Sequence, residues 1–378
     1  MIQVFKPKIR TDEVIQELKK ILDTGWIGLG PKTKEFEQEV GKYLNCSNFI
    51  ATNSCTSALY LAIKCLNLPA KSKIITTPIT FVSTNSVILY EGHLPVFCDV
   101  EPLTGNISVD SIEKAIKFHN GEIKAIMLVH MGGYPCDMDK INEIAEKNNI
   151  KIIEDCAHAF GATYKGKTIG DSSNVCVWSF QAVKNLPVGD GGGISTKDEK
   201  MAERIKRLIW LGIDKTTIER SSLDSIKQSY NWDYDVTELG FKYHLNDIIS
   251  TIGLIQLKHI GEDNARRKEI VNFYKTHLNK DKCTFPEYNL DRTSSYHFFP
   301  LFFENRGDVY KRLSENEIYP GMHYKRNDQY ELFAPYKGLI CGELTAAKMY
   351  QEKELTLPLH MFLTNNDLEK IVDVINNG

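Results

Sequence analysis

The sequence of 378 residues has no H-E-x-x-H pair and no G-x-G-x-x-G following a strand pattern, so the zinc-hydrolase and dinucleotide-binding signatures are both missing. The glycines of Gly25-Trp26-Ile27-Gly28-Leu29-Gly30 come early and follow a helical pattern, unlike the turn that cradles a dinucleotide. A nucleotide-binding phosphate loop is likewise not expected. None of the nine cysteines stands in Cys-x-x-Cys spacing, which argues against a zinc or dithiol redox site, and no metal is expected. Several cysteines sit in apolar runs such as Val175-Cys176-Val177, where a thiol serves as a small core residue. A reducing cytoplasm is the simplest setting. No apolar run approaches the roughly 18–20 residues of a membrane span. Met1-Ile2-Gln3-Val4-Phe5-Lys6 lacks the basic and then apolar pattern of a signal peptide. The net charge is -3 with no long basic block, so neither nucleic acid nor membrane is an expected partner.

What is present is an ordinary globular composition, 42% apolar and 25% charged, in a chain longer than one core usually organises. Short apolar runs rich in Ile and Val, over residues 73–77, 95–100, 125–130, 151–155, 174–180 and 192–196, predict strands. Helical spacing predicts helices between them, for example over 58–68 and 138–147. This alternation predicts an α/β fold: a mostly parallel central sheet flanked by helices, with ligands beyond the carboxyl ends of the strands. Residues 245–278 read as long helical structure broken near Gly261, residues 296–303 as a strand and 366–375 as a last helix. We therefore expect a large domain over residues 1–250 and a smaller C-terminal α+β domain over 251–378.

The chemistry gathers in a few stretches. Lys184, in Ser179-Phe180-Gln181-Ala182-Val183-Lys184-Asn185, follows an apolar strand and precedes Gly189-Asp190-Gly191-Gly192-Gly193. Glycines let backbone approach a bound group closely, and a desolvated lysine yields the neutral amine that attacks a carbonyl. Asp155 ends the run Ile152-Ile153-Glu154-Asp155, where an aspartate could keep a cofactor's pyridine nitrogen protonated; strand alternation turns Glu154 to the other face. His158, three residues on, could lie against such a ring, although a lone histidine is more often structural. Thr52-Asn53-Ser54-Cys55-Thr56-Ser57 stands before an amphipathic helix, where free N–H groups suit a dianion and Ser54 or Thr56 could equally cap the helix. Phe81 follows a strand and could stack on an aromatic cofactor or fill the core.

Taken in order, these segments resemble the DegT/StrS-type sugar aminotransferase family of the aspartate-aminotransferase fold group, from about residue 11 to 375. Thr24-Gly25-Trp26-Ile27-Gly28-Leu29-Gly30-Pro31, Thr80-Phe81-Val82-Ser83-Thr84-Asn85, Pro95-Val96-Phe97-Cys98-Asp99-Val100, Glu154-Asp155-Cys156-Ala157-His158, the Lys184 segment and Leu357-Pro358-Leu359-His360 carry the likeness. The resemblance implies pyridoxal 5'-phosphate (PLP) as cofactor, with Lys184 as Schiff-base lysine and proton shuttle and Asp155 paired with the pyridinium. It places His158 near the ring hydroxyl and Phe81 over the ring, and gives the phosphate to amides at Cys55 and Thr56 with the Ser179 hydroxyl. It also implies an amino-sugar or polysaccharide pathway, L-glutamate as donor, a keto-sugar acceptor, and a homodimer with shared sites. Trp26 and Ile27 would lie on the substrate side, with His323 and Tyr324.

Two segments depart from the family pattern. Gly240-Phe241-Lys242-Tyr243-His244 carries Lys242 where the family has an asparagine that a neighbouring subunit gives to the cofactor phosphate. His323-Tyr324-Lys325-Arg326-Asn327-Asp328 loses a proline and a histidine and gains two positive charges. Lys242 could still meet the phosphate as a point charge. Alternatively Lys242, Lys325 or Arg326 could hold an anionic substrate, which leaves a three-carbon phosphoketone open beside a nucleotide-linked keto-sugar. A PLP-binding regulator is the other class, and no basic or helix-turn-helix segment favours it.

Overall fold

The computed structural model describes residues 1–214 and 234–377. Seven strands form the central sheet: β1 (Asn48–Thr52), β2 (Lys73–Thr76), β3 (Leu94–Phe97), β4 (Ile123–Val129), β5 (Lys151–Asp155), β6 (Val175–Ser179) and β7 (Gly192–Thr196). Their spatial order is β1-β7-β6-β5-β4-β2-β3. Only β7 runs antiparallel to its neighbours, β1 and β6, and every other pairing is parallel. The α/β expectation therefore holds, with one reversed strand.

Burial on both faces explains why these strands read as continuous apolar runs rather than alternating ones. Ile75, Ile126, Ile152 and Cys176 face one layer, built on helices Pro31–Leu44, Val109–Phe118 and Met138–Lys147. Their immediate neighbours Ile74, Met127, Ile153 and Val177 face the other, built on Cys55–Cys65, Val82–Tyr90 and Glu199–Leu208. A further cluster lies around helices Ile260–His277, Arg306–Glu315 and Asn365–Asn376 and the antiparallel pair Pro300–Phe302 and Glu354–Thr356. Ile2 joins that cluster because Ile2–Gln3 pairs in parallel with Ile318–Tyr319.

Several elements differ from their sequence reading for local reasons. The helix expected from residue 58 starts at Cys55, because the Ser54 hydroxyl accepts the Ser57 N–H at 3.1 Å. The long helical stretch breaks at His259, between Asp247–Lys258 and Ile260–His277. Only Pro300–Phe302 of the strand expected over 296–303 forms. The residues before it give their N–H groups to a loop instead, Ser295 to the Gly133 carbonyl and His297 to the Gly132 carbonyl. β1 was missed outright. Residues 161–168 do spell G-x-x-x-x-G-K-T, contrary to the expectation of no such loop. They fold as a hairpin, Thr163–Tyr164 against Lys167–Thr168, without the following helix that phosphate binding requires.

The Gly25–Gly30 loop is held by one buried carboxylate. Asp247 Oδ1 accepts the Gly30 N–H (3.0 Å), the Thr33 N–H (2.9 Å) and the Thr33 hydroxyl (2.8 Å), and Oδ2 accepts the Lys32 N–H (3.0 Å). The first turn of helix Pro31–Leu44 is thus capped from a residue more than 200 positions away. Asp247→Ala should lower stability by about 2–4 kcal/mol, because several buried donors lose their acceptor at once. A urea midpoint shift equivalent to under about 0.5 kcal/mol would contradict this role.

Candidate active site

Register brings the site together at the carboxyl edge of the sheet. Gly192 pairs with both Thr52 and Ser179, so the ends of β1 and β6 flank the start of β7. Asp155, which ends β5, lies opposite Val177 of β6. Glycine is required at 192, since a Cβ there would fall 2.5 Å from the Cys55 nitrogen. The strand therefore runs directly under the N-terminus of helix Cys55–Cys65, whose first N–H groups and dipole favour a dianion.

Lys184 sits, half-buried, on the turn after β6, where its N–H donates to the Gln181 carbonyl at 2.8 Å. The next residue anchors that turn: Asn185 Nδ2 donates to the Ser295 carbonyl and to Asn264 Oδ1, both at 2.8 Å. Burial lowers the Lys184 pKa from 10.5 to about 8, partly opposed by the Asp155 carboxylate nearby. About a tenth of the amine is thus neutral and nucleophilic at pH 7. The same burial pushes the Cys55 thiol up, so it stays protonated.

Asp155 is buried and receives two hydrogen bonds, from the Thr84 hydroxyl (2.8 Å) and the Ala157 N–H (3.0 Å). Burial holds its carboxyl above the ordinary range, against those bonds and the charge of Lys184. Glu154 points to the opposite face as strand geometry requires, with His130 Nε2 at 3.0 Å and bonds from Ser172 and Asn174. The two neighbouring carboxylates thus have separate surroundings, and only Asp155 shares a site with Lys184.

His158 is buried with its Nε2 3.2 Å from the Tyr324 hydroxyl, and its Nδ1 has no partner. Its ring stacks on His297 (4.5 Å, 24°), which stacks in turn on Phe5 (5.2 Å, 6°). Burial, with Lys184 and His323 adding to it, drives the His158 pKa well down, so the ring is neutral. Phe81 is 58% exposed, with its ring 6.4 Å from that of Tyr324 at 63°. An exposed aromatic beside a buried carboxylate, a nucleophilic amine and a helix N-terminus suits a flat, phosphorylated heterocycle. The orphaned His158 Nδ1 and the close approach at Gly192 fit the same group.

Other sequence-selected residues lie differently. Arg326 is held bidentately by Asp328, Nε to Oδ1 at 3.0 Å and Nη2 to Oδ2 at 2.8 Å, so its charge is already paired. Lys325 is exposed, its ammonium 4.9 Å from the Tyr330 ring centre. Lys242 lies over Trp210 at 3.3 Å, and its carbonyl accepts the Asn53 side chain at 3.4 Å, beside the Cys55 helix N-terminus. Trp26 donates to the Leu29 carbonyl at 3.1 Å, and Ile27 is exposed. Among the described residues no hydrogen bond or ring contact joins either to the Lys184 cluster. Thr84, Asn185 and His297 were not selected from sequence. Thr84 could have been, standing one helical turn after Phe81, whereas nothing in Ser295-Tyr296-His297-Phe298 marks the histidine.

The profile of the DegT/DnrJ/EryC1/StrS aminotransferase family matches residues 8–376. The chain belongs to this family. It is accordingly an aminotransferase that depends on pyridoxal 5'-phosphate. The spore coat polysaccharide biosynthesis protein SpsC of Bacillus subtilis is 31% identical over 373 residues, covering 97% of this chain and 94% of SpsC. The sugar aminotransferase CalS13 of Micromonospora echinospora superposes with a TM-score of 0.90 at 31% identity, over 100% of both chains. Spr1654 of Streptococcus pneumoniae, solved in its PMP form, gives 0.89 at 28% identity over 99% of this chain and 98% of its own. Among the described residues no helix of this family member is long and apolar enough to cross a membrane.

The shifted lysine makes a pH expectation. Covalent labelling of Lys184 by trinitrobenzenesulfonate in cofactor-free protein, read by peptide mass spectrometry, should rise with pH about a midpoint near 8. Asp155→Asn should move that midpoint down, because the carboxylate stabilises the charged amine. A midpoint at the ordinary lysine value, or an upward move in the variant, would contradict the geometry.

Proposed function

We propose that the chain moves an amino group from L-glutamate to a keto-sugar, in its nucleotide-linked form, in two half-reactions at one PLP held by Lys184. The observation that carries the reading is Lys184: a half-buried amine with lowered proton affinity, beside a buried carboxylate and a helix N-terminus. PLP, when bound, supplies an electron sink that no side chain offers.

The chain's own residues do the rest. Lys184 Nζ would hold the cofactor covalently at rest and, once released by the amino donor, would serve as the group that takes and returns a proton. Asp155 would keep the proton on the ring nitrogen, and Thr84 on Oδ2 and Ala157 on Oδ1 fix the plane of its carboxylate for that task. The Cys55 and Thr56 N–H groups and the Ser179 hydroxyl would bind the phosphate, with Gly192 keeping the cradle open. His158 and Phe81 would confine the ring, and Tyr324 steadies His158. In a homodimer, Lys242 would meet the partner's cofactor phosphate, a role that its exposure permits once its ammonium leaves the Trp210 ring. Trp26, Ile27, His323 and Lys325 remain for the acceptor. Arg326, already paired with Asp328, leaves Lys325 as the cation of that segment open to an acceptor.

The absorption band of the bound cofactor should change when L-glutamate is added and return when the acceptor is added. dTDP-4-keto-6-deoxyglucose should restore it faster than dihydroxyacetone phosphate. Faster restoration by the phosphoketone would replace the acceptor, and a spectrum indifferent to glutamate would remove the donor.

A further inference from the structure

The strand Glu354–Thr356 turns Leu355 into the core and brings Glu354 and Thr356 out on the other face, beneath His323. Gly321 and Thr356 exchange backbone hydrogen bonds of 2.9 and 2.8 Å, and the chain then doubles back. The His323 N–H donates to Glu354 Oε2 at 2.8 Å. The Thr356 hydroxyl bridges the rest, 2.6 Å from Glu354 Oε1 and 2.9 Å from His323 Nδ1. A Cβ on residue 321 would fall 2.7 Å from His323 Cε1, so glycine there lets the imidazole reach the hydroxyl. Phe298 stacks on the ring at 4.7 Å and fixes its plane.

This carboxyl–hydroxyl–imidazole chain can run in two directions. With Glu354 protonated, its hydrogen goes to Thr356, since Oε2 already accepts from the His323 backbone. Thr356 then donates to Nδ1, and the ring's own hydrogen sits on Nε2. With Glu354 ionised the two bonds through Thr356 reverse, the ring hydrogen sits on Nδ1, and Nε2 becomes an acceptor. Among the described residues His323 Nε2 has no hydrogen-bond partner of its own, while Lys184 is near enough to influence the ring.

We propose that Glu354 and Thr356 are positioning residues that keep the hydrogen of His323 on Nε2, so that this nitrogen donates a hydrogen bond to an oxygen of the keto acceptor. The proposal rests on the reading of the chain as a keto-sugar aminotransferase. Among the described residues no cation pairs with the Glu354 carboxyl. Arg306 approaches but gives Nη1 to the carbonyls of Gln351 and Glu354. Tyr324 and Tyr350 are the other titratable groups facing Glu354. Lys184, His158 and His297 face His323. Burial raises the Glu354 pKa to about 8 against the bonds from Thr356 and His323, and burial with Lys184 lowers that of His323 to about 3. A neutral carboxyl and a neutral ring at ordinary pH follow from these directions.

The test is nitrogen-15 NMR of histidine-labelled holoenzyme, with His323→Gln assigning the ring, because the tautomer reports the hydrogen directly. In the wild type the hydrogen should be on Nε2 at about pH 6.5 and move to Nδ1 as pH rises through about 8. Glu354→Gln, whose amide oxygen is taken by the His323 N–H so that its nitrogen donates to Thr356, should keep it on Nε2 throughout. Thr356→Val should abolish the response and Thr356→Ser restore it. With dTDP-4-keto-6-deoxyglucose, Thr356→Val should raise the acceptor KM about tenfold and leave single turnover with L-glutamate within about twofold. An Nδ1 hydrogen in the wild type at low pH, a Glu354→Gln variant that titrates like the wild type, or equal losses in both half-reactions would overturn the proposal. Failure of the wild type to turn over any keto-sugar would overturn the functional reading beneath it, while the tautomer readout judges the relay by itself.

Discussion

A lysine and an aspartate withdrawn from water at the same sheet edge constrain one another, and the rest of the site follows from that pair. Each loses hydration, so each shifts toward its neutral form: Lys184 downward to about 8 and Asp155 upward. Their mutual attraction only partly restores the charges. The outcome is an amine able to attack and a carboxyl that takes one hydrogen bond on each oxygen, from Thr84 and Ala157. Such a pair is costly to keep unless a third group completes it, and a protonated ring nitrogen beside Asp155 with a carbonyl beside Lys184 would do so.

The supporting structure keeps this edge rigid. β7 runs against its neighbours and puts Gly192 beside Ser179 and Thr52, which brings a helix N-terminus over the same edge. Asn185 fastens the Lys184 turn to Ser295 and Asn264, linking the sheet to the C-terminal part of the chain. The Phe5–His297–His158 stack comes from three distant segments, so the position of His158 depends on how the N-terminal strand and residues 295–298 pack. The site is therefore assembled from both ends of the chain rather than by one loop.

Much of this was legible in the sequence, and the reasons differ by residue. Strand runs such as Ile152–Asp155 and their neighbours stood out because burial on both faces demands unbroken apolar residues. The alternation of Glu154 and Asp155 follows from strand geometry alone, and the structure gives the two carboxyls separate partners. The family resemblance was carried by short segments whose order is more telling than any one of them, and the chain's membership accords with it. What stayed hidden depends on side-chain partners that no local pattern marks. Asp247 reaches a helix start more than two hundred residues earlier, Arg326 is neutralised by Asp328 two positions on, and His297 has no local pattern at all. The string G-x-x-x-x-G-K-T at residues 161–168 shows the opposite failure, a motif whose letters are present and whose strand–loop–helix context is not.

The central claim is that the Lys184 amine bonds covalently to the PLP carbonyl. Borohydride reduction of the holoenzyme followed by peptide mapping tests it most directly. The account requires the added pyridoxyl mass on Lys184 and on no other lysine, with none retained after reduction of Lys184→Ala. Label on a different lysine, or undiminished fixation in the alanine variant, would contradict it.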